Sequence, residues 1–165
     1  MTTHNGVSHL KVTFDIDSGD GTCEKESLWT TRVGDAYRLD NIPFYARGFA
    51  FGDVVSAAEE PDGVLRCTGL LVPSGHSTVR LWIERGDESV QRIRNDLREM
   101  GCSSELDLPR LVAVDVPPTV PYGLVKDYLQ KGEEHSLFEY EEGCLAQEDR
   151  GGDEDQKEDR NEVAE

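Results

Sequence analysis

VRLWIERGDESVQRIRNDLREMGCSSELDLPRLVAVDV, residues 79–116, changes its hydrophobic period twice. Val79–Arg85 alternates apolar and polar residues, the two-residue period of a strand with one face buried. Asp87 is placed to cap a helix by accepting amide hydrogen bonds, and Val90, Ile93, Leu97 and Met100 then recur at helical spacing until Gly101 stops it. Cys102–Leu106 returns to strand character, the Asp107–Arg110 corner reverses the chain, and Leu111–Val116 forms a third strand that Pro117 and Pro118 terminate. Further on, Pro121 suits a helix's first turn. Leu124, Val125, Tyr128 and Leu129 line one face before Gly132, and Ser136–Tyr140 supplies a last strand. The order βαββαβ predicts a ferredoxin-like half over 76–145.

Upstream the segments are shorter and separated by turns. Leu10–Asp17 alternates and runs into SGDG. Glu26–Val33 and Ala36–Leu39, joined by Gly34-Asp35, form a hairpin. After Asn41-Ile42-Pro43 breaks the pairing, strands are expected at Phe49–Phe51, Asp53–Ala57 and Val64–Val72, with Glu60-Pro61-Asp62-Gly63 as a turn. Several short strands joined by tight turns predict a small barrel-like half over 1–75. The fold class expected is therefore α+β, a barrel-like half packed on a ferredoxin-like half. Residues 146–165 carry almost no apolar side chain, which predicts a disordered acidic tail.

The net charge of −17 is extreme for 165 residues. Nine acids against three bases in 146–165 still leave the rest of the chain at −11. Such a body repels phosphate backbones and anionic lipid, so a nucleic-acid or membrane partner is disfavoured and a basic protein partner is favoured. With no long apolar run and no basic-then-apolar leader, the expectation is a soluble cytoplasmic protein. Cys23, Cys67, Cys102 and Cys144 lie far apart with no CxxC pair, which reads as reduced thiols.

Catalytic patterns are weak. Asp15–Glu26 imitates a calcium loop, but Gly19 falls where an oxygen ligand belongs and Asp20 where the glycine belongs, so an acidic hairpin turn is the better reading. His76 and His135 are the candidate bases for Cys102 or Ser74, without any local signature such as GxSxG. No phosphate-binding glycine loop occurs, and the third strand of the ferredoxin-like half has no aromatic residue for RNA stacking. No metal or cofactor is implied. Gly86 and Asp87 stand at a helix start, where a small carboxylate would be favoured.

Glu26-Ser27-Leu28-Trp29, the run Tyr37–Tyr45, the Gly52-Asp53-Val54-Val55 step and Met100-Gly101-Cys102 resemble a bacterial family known as domain of unknown function 4265, over Glu26 to about Leu145. The resemblance implies no activity, ligand or catalytic residue. Its central run opens YRLDNIPFYARGFAFGDVV, residues 37–55, which holds five of the ten Phe and Tyr residues. Ile42, Phe44 and Tyr45 are expected to plug the junction between the halves, and Tyr45, Arg47 and Phe49 are the alternative candidates for lining a cleft there. The functional expectation is a non-catalytic binding or accessory protein, in one version an acidic immunity-type inhibitor of a basic toxin. The alternatives are a small-metabolite (amino-acid-like) sensor using Tyr45, Arg47 and Phe49 or Gly86 and Asp87, and an enzyme with an unrecognised site.

Overall fold

The computed structural model describes residues 2–4 and 7–146. Of the tail predicted over 146–165, all but Ala146 lies outside the described residues. The described residues form a mixed α+β fold of two sheets and two helices. The first sheet contains β1 (Thr2–His4), β2 (Val7–Asp17), β3 (Cys23–Val33), β4 (Ala36–Leu39), β5 (Val54–Glu59) and β6 (Leu65–Val72), in that order. Its backbone is the long hairpin β2–β3, in register from His9 opposite Thr31 to Asp17 opposite Cys23. Asp17 and Asp20 tie the hairpin's turn by accepting the amides of Gly19 and Thr22, both at 2.9 Å. Alternation along β3 buries Glu26, Leu28 and Thr30. Val12, Phe14, Leu28, Tyr37, Leu39 and Val55 form the core. Besides its antiparallel partner β5, strand β6 meets β2 in parallel at Val12–Leu65 and Thr13–Arg66, so the pairings return to β2.

The second sheet has the order β10-β7-β9-β8, all antiparallel, from β7 (Ser77–Trp82), β8 (Ser103–Leu106), β9 (Leu111–Val116) and β10 (Glu139–Cys144). Helices α1 (Asp87–Glu99) and α2 (Tyr122–Glu134) share one core with Val79, Leu81, Val112, Val114 and Val116 of this sheet. Since side chains alternate across a strand, Thr78, Arg80 and Trp82 of β7 point to the opposite face, together with Ala113 and Asp115 of β9. That face, half of it polar, meets the first sheet's connecting segment 40–53.

Four local expectations are corrected. Asp87 does not cap α1: Gly86, at φ 89°, holds the cap position and no side chain bonds there. Phe49–Phe51 is a turn rather than a strand, since Asp53 accepts the Ala50 amide at 2.9 Å and its own amide returns to the Ala50 carbonyl at 3.1 Å. Helix α2 runs through Gly132 to Glu134. The glycine is needed for space, because a Cβ there would stand 2.1 Å from the Phe138 ring. In consequence the last strand starts later than expected, at Glu139, after Ser136 turns the chain at φ 55°. Gly101 does end α1, at φ 101°. Among the described residues no helix is long and apolar enough to cross a membrane.

Candidate functional site

Residues 40–53 have no strand or helix, so their main-chain groups must find partners elsewhere. The first sheet supplies Glu26, whose carboxylate, nearly buried at 9% exposure, accepts the amides of Phe44 (2.7 Å), Tyr45 (3.0 Å) and Ala46 (2.9 Å). It also supplies the Trp29 amide, which donates to Asn41 Oδ1 at 2.7 Å. Asp53, 2% exposed, takes the amides of Ala50 and Ser74 on its two oxygens. From the second sheet, Arg80 Nη2 donates to the Ala46 carbonyl (2.8 Å) and Thr78 Oγ1 to the Phe49 carbonyl (3.0 Å). The Gly48 amide reaches the Gly143 carbonyl at 2.9 Å, and the Tyr45 hydroxyl donates to Asp107 at 2.8 Å. The segment is thus clasped from both sides by groups far away in sequence.

Beside the clasp lies a cavity of about 440 Å³. The β2–β3 hairpin contributes Ile16, Asp17 and Glu24; the clasped segment contributes Phe44, Tyr45 and Arg47. The second sheet contributes Arg80, Trp82, Leu111, Glu139 and Glu141. Arg80 is the notable member. It is 6% exposed, and its enclosed Nε–H has no hydrogen-bond acceptor among the described residues. Burial pulls its pKa down, with Glu141 and Glu26 opposing that pull. Gly143 makes room for it, since a Cβ at that position would sit 2.7 Å from Nη1. Glu141, opposite Arg80 in the sheet register, forms an ion pair with the exposed Arg47. Burial, with the Asp107 hydrogen bond and charge, raises the Tyr45 phenol to about 12.

Of the predicted site residues, Tyr45 and Arg47 do line the cavity. Phe49 does not: its ring packs edge-on against Phe14 in the first sheet's core, with centroids 4.9 Å apart. Gly86 and Asp87 are also outside the lining. Asp87 borders a separate shallow depression with Glu88, Arg92 and Asp96, where carboxylates surround the helix start. Of the residues expected to plug the junction, Ile42 is buried, Phe44 is half-buried, and Tyr45 keeps 41% exposure.

The other candidates are engaged in structural contacts. His76 Nδ1 lies 2.7 Å from the buried Asp115, and His135 Nδ1 lies 2.6 Å from the Lys131 carbonyl. Ser74 Oγ donates to the Phe51 carbonyl at 2.7 Å. Cys102 is 1% exposed, and burial, with the Asp115 charge, pushes its thiol up to about 11, so it is protonated and a poor nucleophile. In the imitation calcium loop, Asp15 pairs with Arg66 while Glu26 faces the clasped amides, so the two do not converge. Among the described residues no group of three or more His, Cys, Asp or Glu could hold a metal ion.

Sequence reasoning missed Arg80, Glu141 and Glu26. The signal for Arg80 was its place between Val79 and Leu81, which assigns a charge to the face that the other sheet must cover. The family model described as domain of unknown function (DUF4265) matches residues 26–140. No curated protein matches. A solved structure titled as a novel crystal structure of a hypothetical protein from Neisseria gonorrhoeae is similar, with a TM-score of 0.73 and 21% identity over 87% of this chain and 99% of that one. This is a likeness of fold.

Proposed function

Because the chain belongs to the DUF4265 family, a domain of unknown function that brings no activity with it, we propose a function from the cleft: a non-catalytic, cytoplasmic protein that binds a small carboxylate-bearing metabolite. The observation that carries this reading is the pair of guanidiniums, Arg47 and Arg80, that borders the cavity of about 440 Å³. A carboxylate accepts charge-assisted hydrogen bonds from a guanidinium, roughly twice as strong as those between neutral groups. The aromatic rings of Phe44, Tyr45 and Trp82 supply apolar contact beside it. Domain halves 1–75 and 76–145 go with this reading, a small barrel-like half packed on a ferredoxin-like half. It is supported by the return of β6 to β2 and by the β10-β7-β9-β8 order.

Thermal-shift measurement against a panel of small carboxylates and amino acids tests it. A ligand at 100 times its Kd stabilises the protein by about 2.7 kcal/mol, and Trp82→Ala, at a site 40% exposed, is expected to reduce that shift without unfolding the chain. A panel without any shift overturns the proposal. The net charge of −17 favours a second reading, engagement of a basic protein, including an immunity-type inhibitor. That reading requires binding which weakens steeply with salt.

A further inference from the structure

Strand β6 is paired on both sides only where it begins. It runs beside β5 from Leu65, opposite Glu59, to Val72, opposite Val54, but it meets β2 only at Leu65 and Arg66. Over residues 67–72 its other side pairs with no strand among the described residues. An open edge of this kind presents unpaired main-chain donors and acceptors, a template for a further strand. Its side chains are apolar as well: Leu70, Leu71 and Val72 are 42%, 56% and 56% exposed. Regular alternation would turn the middle one to the other face. The register shift between Val54 and Val55 makes Leu71 an extra residue between Leu70 and Val72, so all three reach solvent together. Contiguous exposed apolar groups mark a contact surface more often than scattered ones do.

Charge decides what lies against this edge. The chain has 34 acidic residues, yet residues 63–83 contain none, the longest acid-free run in the sequence. Arg66, the one charge on the strand, is already paired with Asp15 and Glu60. A basic protein is drawn to the carboxylates elsewhere and finds none on this edge. Two copies of the chain, each at −17, repel over most of their surfaces and can approach here without opposing carboxylates. A two-fold contact also requires a surface that complements itself. An antiparallel strand edge does so, because its donors and acceptors face the same set turned round.

We propose that the chain forms a homodimer through β6, with residues 67–72 of two copies side by side and antiparallel about a two-fold axis, Leu70, Leu71 and Val72 of each covering those of the other. None of these residues lines the cleft, so the dimer and the cleft's ligand stand or fall separately.

Sedimentation velocity of the full chain over about a hundredfold range of concentration is expected to show the mass rising from 18.4 kDa to twice that value. Added salt is expected to raise the dimer fraction, because it screens the repulsion between the two acidic bodies. Leu71→Asp and Leu71→Lys change a side chain that is more than half exposed, so the fold is retained, as far-ultraviolet circular dichroism checks. Each is expected to weaken the dimer by about tenfold or more by setting like charges against each other, and mixing the two variants to restore it. In the unaltered chain, hydrogen exchange at the amides of Leu70, Leu71 and Val72 is expected to slow as concentration rises. A chain that stays at 18.4 kDa throughout overturns the proposal. So does a dimer that salt dissolves, that both variants leave intact, that the mixture fails to restore, or that leaves exchange at those amides unchanged.

Discussion

Three consecutive amides, from Phe44 to Ala46, converge on one carboxylate. Glu26→Ala therefore strands three donors, the last of them buried, at about 1–3 kcal/mol for each fully buried one. The variant is expected to lose about 3 kcal/mol in urea unfolding. Glu26→Gln keeps one acceptor oxygen and is expected to lose less. Tyr45 makes a prediction of another kind. Its phenol is raised from 10.0 to about 12 in the folded chain, so the unfolded chain releases that proton first. Stability is thus expected to fall as pH rises from 10 toward 12, and Tyr45→Phe to flatten that part of the curve in alkaline unfolding. Near neutral pH the same variant should change little, because the Asp107 hydrogen bond is exposed.

At the scale of elements, Gly132 shows what periodicity leaves out. It ends no helix; it brings α2 close enough for Phe138 to lie against its backbone. Gly132→Ala is expected to destabilise by about 1–3 kcal/mol through overpacking, and Phe138→Leu in the same chain to recover part of that loss, both read by chemical denaturation. Strand β1 was not read from the sequence and β3 starts earlier than expected, at Cys23, whereas β2, β7 and α1 were legible because each shows its period and ends on turn or cap chemistry. Phe49–Phe51 misled for a tertiary reason: its aromatic residues favour a strand, but Asp53 draws the Ala50 amide into a turn. The site was half legible. Aromatic clustering pointed to Tyr45 and the one charge beside them to Arg47, whereas Arg80 and Glu141 come together only through strand pairing, which single-strand patterns do not reveal.

Across the whole molecule, each sheet holds one of the two tryptophans, Trp29 in β3 and Trp82 in β7. The clasp ties those sheets through Glu26, Thr78 and Arg80, so Trp29→Phe and Trp82→Phe chains are expected to report the same unfolding midpoint by fluorescence. Separate midpoints would mean that the two halves melt independently. In the Glu26→Ala background the midpoints should move apart, as one side of the clasp is lost. The clasp also has an implication for how such a chain diversifies. Its buried fasteners grip peptide groups of the 44–49 stretch, whereas the side chains of Tyr45 and Arg47 reach the cavity wall and hold only Asp107 and Glu141. Replacing those two residues would redecorate the binding hollow while the path of the main chain stays put, so one architecture can be refitted to new guests at small thermodynamic expense.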